Sequence, residues 1–298
     1  TSFSEVPSIL RSHFPDATVI GCSAAGVIGN GQEIEHRPAV ALTAGHMPGV
    51  RLTGFHATQA TLPTPDDPPD AWVQLAGVDP EDRPHFLILV DPYSTTGSEL
   101  LAGLDFAFPA AAKVGGLASG GVAPGSHALY LGQDIYWDGV VGVALTGNVS
   151  IDTIVAQGCR PIGEPKVITK CQSNILLKLD DRPPITYLQE MHEKLPPRDQ
   201  ELVNGNLFLG IAIDPLITLE SVRPGDFLIR NLIGADQERG ILAVGEPLRE
   251  GQLVQFHVRD AVASAEDLQT QLTRHLQRVG SSSAVGALMF QCNGRGMH

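Results

Sequence analysis

The sequence predicts a mixed α/β (α+β) protein in which β-sheets pack against helices in two related halves, and three observations carry that expectation. Short β-branched runs bounded by glycine and proline alternate with stretches of helical periodicity. The 298 residues are 43% hydrophobic and 18% charged, with 32 Gly and 22 Pro spread along the chain, which excludes wholesale disorder, a coiled coil and collagen. From His85 to Leu117 the chain reads strand, polar loop, helix and strand, the pattern of a βαβ crossover. The length suits one large domain or two intimate ones, and a layered αββα-type arrangement is one form such halves take.

Ser4–Phe14 reads as a helix closed by Pro15, followed by a strand over Thr18–Ile20. The small-residue segment Gly21–Gly29 then reads as a loop at a strand's C-terminal end, and Ala39–Ala44 and Val50–Phe55 as strands joined through Met47-Pro48-Gly49. Thr58–Asp70 is proline-rich and acidic, which predicts an exposed loop. Phe86–Val90 is a strand, Glu99–Phe106 a helix and Lys113–Leu117 a strand, with Gly115–Gly121 as a second glycine-rich loop. Ala128–Leu131, Val140–Leu145, Ile151–Ala156 and Val167–Thr169 are short and turn-bounded with no helix between them, which predicts an antiparallel meander. Further on, a helix is expected near Ile185–His192 and strands near Leu207–Ile213, Phe227–Arg230 and Gln252–Val258. The last helix is expected over Ala265–Gln277, with Ser264 as its cap, Asp267 three residues on, and Leu268, Leu272 and Leu276 on one inward face. Ala284–Phe290 is strongly apolar and reads as a buried strand that ends at Cys292.

The net charge of −13 is uneven, since residues 1–150 hold 5 basic and 15 acidic side chains while 151–298 hold 15 and 18. That balance disfavours nucleic acid as a partner, because phosphate neutralisation needs a basic face. No window approaches a membrane span and no signal pattern opens the chain, so no membrane partner is expected and the cytoplasm is the default compartment. The four cysteines form no C-x-x-C pair and have no His at zinc spacing, and they read as reduced thiols with no metal.

The glycine-rich segments fail the phosphate-binding patterns: Gly21–Gly29 lacks Gly-Lys-Ser/Thr, and Gly115–Gly121 is not G-x-G-x-x-G. Gly21-x-Ser23-x-x-Gly26 is one residue too long for a nucleophile elbow. Both segments read either as tight turns or as backbone amides lining a small-ligand pocket at strand ends. Thr1 invites an N-terminal nucleophile reading, against which stands the simple fact that a numbering has to start somewhere. Asp91 either contacts a substrate or caps its turn with Ser94, and the second reading is favoured. Cys292 has a cation three residues on that could activate a thiol, although a lone Cys at a strand end is more often a small apolar side chain.

Taken together, Gly21-Cys22-Ser23-Ala24-Ala25-Gly26-Val27-Ile28-Gly29, the Gly115-Gly116 segment, Asp138–Gly147, Gly158-Cys159-Arg160-Pro161-Ile162-Gly163, Gly225–Asn231 and Phe290-Gln291-Cys292-Asn293-Gly294-Arg295-Gly296 resemble the FIST family, in family order across nearly the whole chain. The resemblance implies a FIST N-type domain over 1–180 and a FIST C-type domain over 181–298, each with residues of the family pattern lying beyond the chain's ends. Val27 stands where the family usually has Glu, which weakens the case for a carboxylate there. The resemblance carries over no catalytic residues and no cofactor, and implies a sensory domain of signal transduction that binds a small molecule, an amino acid or another small carboxylate. Gly21, Cys22, Ser23, Gly26, Gly115, Gly116, Arg160, Arg230, Cys292 and Arg295 become the candidate ligand-binding residues, with Arg160, Arg230 or Arg295 taking a carboxylate and loop amides assisting. A signalling protein is the implied partner. Two other readings stand beside this one: a non-catalytic interaction scaffold like the F-box relatives, and a hydrolase using Thr1, Ser23 or Cys292, for which the sequence shows no base nearby.

Overall fold

Residues 3–64, 66–222, 225–280 and 284–295 are described by the computed structural model, so Thr1 lies outside the described residues. The chain forms two compact units, one of residues 1–153 with 284–298 and the other of residues 154–283. Strand pairing commits the chain to the second unit from Cys159 onward.

In the first unit, α1 (Val6–His13) leads to β1 (Ile20–Cys22), the hairpin β2 (Gly26–Gly29) and β3 (Gln32–Glu35), and β4 (Val50–Ala57). Next come α2 (Pro69–Ala76), β5 (His85–Val90), α3 (Gly97–Ala107), β6 (Lys113–Leu117), β7 (Leu129–Leu131), β8 (Asp134–Tyr136) and β9 (Val140–Gly147). The main sheet has the order β4-β9-β5-β6, with β5 and β6 parallel around the expected βαβ crossover. Side-chain alternation sorts its two faces. Phe86, Ile88 and Val90 of β5 join Trp72 of α2 and Leu100 and Leu104 of α3 in one core, while Leu89 and Val141 point the other way onto Leu129 of the small sheet β1-β7-β8. Tyr130, on the outer side of β7, donates to the Phe3 carbonyl at 3.2 Å, so the N-terminal turn lies against that outer face. Helices, sheet, sheet and N-terminal segment thus stack as layers.

The second unit is a closed barrel, and its all-antiparallel ladder has no free edge. Its elements are β10 (Cys159–Gln172), β11 (Ile175–Leu179), α4 (Pro184–Lys194), α5 (Pro197–Val203), β12 (Leu207–Ala212), β13 (Phe227–Asp236), β14 (Ile241–Val244), β15 (Leu253–Arg259) and α6 (Ala261–Val279). The strands run in the order β10-β11-β14-β13-β12-β15. Closure depends on β10, which pairs with β15 over Cys159–Val167 and then bends to pair with β11 over Ile168–Gln172. Ile168, Leu176, Leu209, Val254, Phe256 and Val258 fill the interior. No helix among the described residues is long and apolar enough to cross a membrane.

The mixed α+β class and most long elements fall where the sequence puts them; several local expectations do not. The meander is absent: β9 leaves β7 and β8 to run between β4 and β5, and Ile151–Ala156 has no regular structure. The reason is composition, since β9 is apolar on both faces and therefore takes a central position. Gly115 and Gly116 belong to β6 rather than to a loop, and Gly115 has φ +148 with its missing side chain's place 1.7 Å from the Ile88 carbonyl oxygen. Ala39–Ala44 and Ala284–Phe290 are apolar but form no ladder, and Leu288, Met289 and Phe290 are exposed. Asp260, not Ser264, caps α6, accepting the Val262 N–H at 2.9 Å. Ser264 and Asp267 instead hold Gly158, whose carbonyl accepts from the Ser264 hydroxyl at 2.9 Å and whose N–H reaches Asp267 at 3.0 Å. The expected inward stripe of α6 faces out, with Leu272 and Leu276 exposed.

Candidate functional site

The parallel strands β5 and β6 end side by side, and the loops that leave them are the natural place for a ligand in a sheet of this kind. Val90 is followed at once by Asp91, and Leu117 by Ala118, whose N–H donates to the Val90 carbonyl at 2.8 Å. The loop after β1 meets them. Ser119 N–H donates to the Ser23 carbonyl at 3.1 Å, and the Ser119 hydroxyl accepts the Ala25 N–H at 3.0 Å. Asn293 Oδ1 lies 3.5 Å from that hydroxyl, the Phe290 ring would stand 3.7 Å from a Cβ added at Gly116, and Gln291 donates to Glu33 at 3.0 Å. Three separate stretches, 23–25, 118–121 and 290–293, therefore converge on Ser119.

Beneath these loops sits a buried acid–histidine pair. Asp91 is 0% and His127 1% exposed, with Nδ1 of the imidazole 2.8 Å from Asp91 Oδ1. The other carboxylate oxygen accepts the Ser94 hydroxyl at 2.5 Å, and Ser94 in turn accepts the Gly139 N–H at 2.8 Å. Tyr93 stacks on the imidazole with ring centroids 5.4 Å apart. A carboxylate oxygen accepts at this distance, so the short contact places an N–H on Nδ1. That Nε2 has no hydrogen-bond partner among the described residues, and neither does the buried Thr95 hydroxyl. Nε2 faces Gly121, where an added Cβ would stand 3.0 Å from it and 2.0 Å from Ser126 Oγ. The backbone there packs too closely on Ser126 and His127 for any side chain but glycine's hydrogen.

Of the sequence-nominated residues, Gly21 and Cys22 pair with Tyr130 and Leu129 in the small sheet, and burial pushes the Cys22 thiol up to about 11, which makes it a poor nucleophile. Ser23 is buried, its N–H donating to the Ala128 carbonyl at 2.8 Å and its hydroxyl accepting the Ala128 N–H at 3.2 Å, so it fixes the residue next to His127. Gly26 opens β2 and pairs with Glu35. Cys292 is exposed beside the Asn293–Arg295 turn, and the side chain of Arg295 lies outside the described residues. Arg160 and Arg230 belong to the barrel unit and are already engaged by carboxylates. Arg160 forks onto Asp199 with Asp260 at 3.5 Å, and Arg230 meets Glu246 at 2.6 Å.

Asp91 caps its turn as the sequence favours, its carboxylate taking the Ser94 hydroxyl, and it also orients His127. His127 carries no sequence signal, since a single His after a Pro-Gly-Ser turn forms no pattern. Among the described residues no group of three His, Cys, Asp or Glu stands together as metal ligands. The barrel unit has a separate open cavity of about 690 Å³ lined by Ile185, Leu188, His192, Val203, Leu232 and Leu242, and none of the nominated residues lines it. Its walls are mainly apolar.

Comparison with known proteins gives the same family at both ends of the chain. The FIST N domain matches residues 2–182 and the FIST C domain residues 187–298. An uncharacterized protein of Mycobacterium tuberculosis is 37% identical over 280 residues, covering 94% of this chain and 70% of that protein. An uncharacterized protein of Mycobacterium bovis is 34% identical over 293 residues, covering 98% of this chain and 73% of that protein. FIST domains are associated with sensory function in signal transduction. With both domains matched in order over nearly all of its length, the chain belongs to the FIST family.

Proposed function

We propose that the chain is a cytoplasmic, non-enzymatic sensory module that binds an amino acid or other small carboxylate and passes occupancy to a signalling protein. The observation that carries this reading is the convergence of the 23–25, 118–121 and 290–293 stretches over the ends of β5 and β6. Glycine-rich backbone at strand ends presents N–H groups at close range, which suits a carboxylate without requiring a side-chain cation. A ligand bridging these stretches ties segments distant in sequence, so its arrival shifts the balance between looser and tighter forms of the cluster. A thermal-shift screen of the protein against the proteinogenic amino acids, other small carboxylates and nucleotides tests it. A ligand at a hundredfold excess over its Kd adds about 2.7 kcal/mol of stability. A reproducible rise in Tm confined to amino acids or carboxylates supports the reading; a flat response to the whole panel near millimolar concentration overturns it.

The interaction-scaffold reading has its own support in exposed apolar side chains, Val40 and Leu42 in one stretch and Leu288 and Met289 in another. It predicts a flat ligand screen together with stoichiometric capture of a protein partner that is lost on Leu288→Asp with Met289→Asp.

A further inference from the structure

We infer that the outward stripe of α6 is a docking surface for α6 of a second copy of this chain, the two helices pairing antiparallel. This surface is independent of the ligand-binding reading above.

The helix is anchored on one side only. Ser264 and Asp267 hold Gly158 there, and Leu268, Gln271 and His275 beside them are half-buried. None of its 19 residues is fully buried. The other side carries Val262, Ala265, Gln269, Leu272 and Leu276, all exposed, with Leu272 at 40%, Val262 at 56% and Leu276 at 64%. Their spacing of three, four, three and four residues keeps them within an arc of about 80°, the a and d pattern of a helix-pairing seam. Scattered exposed leucines are ordinary, but the apolar stripe of a surface helix normally faces what it packs on, and this one faces away.

The stripe also complements itself. Its first half is small, Val262 and Ala265, its second half is large, Leu272 and Leu276, and Gln269 lies between them. Charge divides the same way, with Glu266 and Asp267 in the first half and Arg274 and Arg278 in the second. Two copies running antiparallel therefore set small against large and acid alongside base, and oppose their helix dipoles. A parallel pair would set Ala265 on Ala265 and Glu266 beside Glu266, which leaves a gap and repels. Gln269 falls near the twofold axis, where its carboxamide can both donate to and accept from its counterpart. A seam of about four turns is short, so the association is weak, with a Kd of about 10–100 μM.

Sedimentation velocity of the whole protein from about 1 to about 200 μM tests the pairing. The inference expects a monomer–dimer equilibrium in that range, and association at least about 10-fold weaker when Leu272→Ser and Leu276→Ser are combined. Orientation is read by oxidising Val262→Cys protein, Leu276→Cys protein and their equimolar mixture, each in a Cys292→Ser background. A disulfide-linked dimer in the mixture and in neither variant alone supports the antiparallel pair; Val262→Cys linked to itself overturns it in favour of a parallel one. A monomer at every concentration overturns the inference, and the reactivity of Leu276→Cys toward a thiol reagent then tells a bare stripe from one covered by its own chain. A dimer that the double serine variant retains at full strength also overturns it and places the contact on another surface. Because the cysteine mixture reads the contact directly, a serine variant that fails to fold does not blunt the result.

Discussion

In the barrel unit, Arg160 lies between Asp199 and Asp260, Arg198 adds a second cation to Asp260 at 2.7 Å, and Lys166 meets Asp180 at 3.1 Å. In the loop cluster, Asp91 holds His127 and Ser94, and the far nitrogen of the imidazole has no hydrogen-bond partner among the described residues. The contrast teaches that residue type alone is a poor guide to a binding site. Arginines drew attention as carboxylate receptors, yet those whose side chains are described are already occupied by carboxylates and act as braces. In the loop cluster, the buried polar atoms without a hydrogen-bond partner among the described residues belong to an ordinary histidine and a threonine, His127 and Thr95.

That contrast can be broken by substitution, beginning with the pair itself. Asp91→Ala leaves the His127 Nδ1–H and the Ser94 hydroxyl facing a fully buried void, and should cost about 3–5 kcal/mol in denaturant unfolding. A loss below about 1 kcal/mol would mean that the pair is solvated and the comparison misconceived. Next in size is an acid sensitivity that resides in the barrel. Burial lowers His257 from 6.5 to about 4, so the folded barrel holds it neutral while the unfolded chain binds a proton below 6.5. Its contribution is fully present above pH 6.5 and is lost as pH falls toward about 4, a change of about 3 kcal/mol over that window. His257→Leu should flatten this limb, read as unfolding free energy at steps from pH 7 to 4; an unchanged slope would assign the acid sensitivity to other groups.

A smaller effect separates brace from receptor. Arg160→Ala should cost about 1–2 kcal/mol, discounted because the guanidinium is partly exposed, while leaving the affinity for the stabilising ligand unchanged. Tenfold weaker binding with intact stability would return Arg160 to the site. Smallest of all, Leu276→Ser on α6 should change stability by less than about 0.5 kcal/mol, because that side chain is 64% exposed. A large loss would mean that the stripe is covered after all.

Much of the fold was legible because hydrophobic period and turn residues act locally. β5, α3 and β6 were placed to within a few residues, since an apolar run, a polar turn and a helical stretch follow one another without ambiguity. The errors have physical causes of a longer range. β9 was assigned to a meander with its neighbours in sequence, but a strand apolar on both faces is drawn to the centre of a sheet built from distant segments. α2 was hidden by its prolines, which here occupy the helix entry where proline is tolerated. The inward face expected of α6 followed from periodicity, which says that a face is apolar and not that anything covers it. The glycine segments pointed to the right neighbourhood: Ser23 and the 118–121 stretch do meet. Asp91 and His127 are 36 residues apart and come together only through the sheet, so no spacing rule could pair them.

Hydrogen–deuterium exchange of the whole protein with and without the free amino acid pool puts the central claim to its most direct test. The account predicts slowed exchange in residues 23–25, 91–95 and 118–127, with the barrel strands unchanged. Protection confined to α4 and β13 around the apolar cavity, with the loop cluster unaltered, would contradict it and move the ligand to the barrel unit.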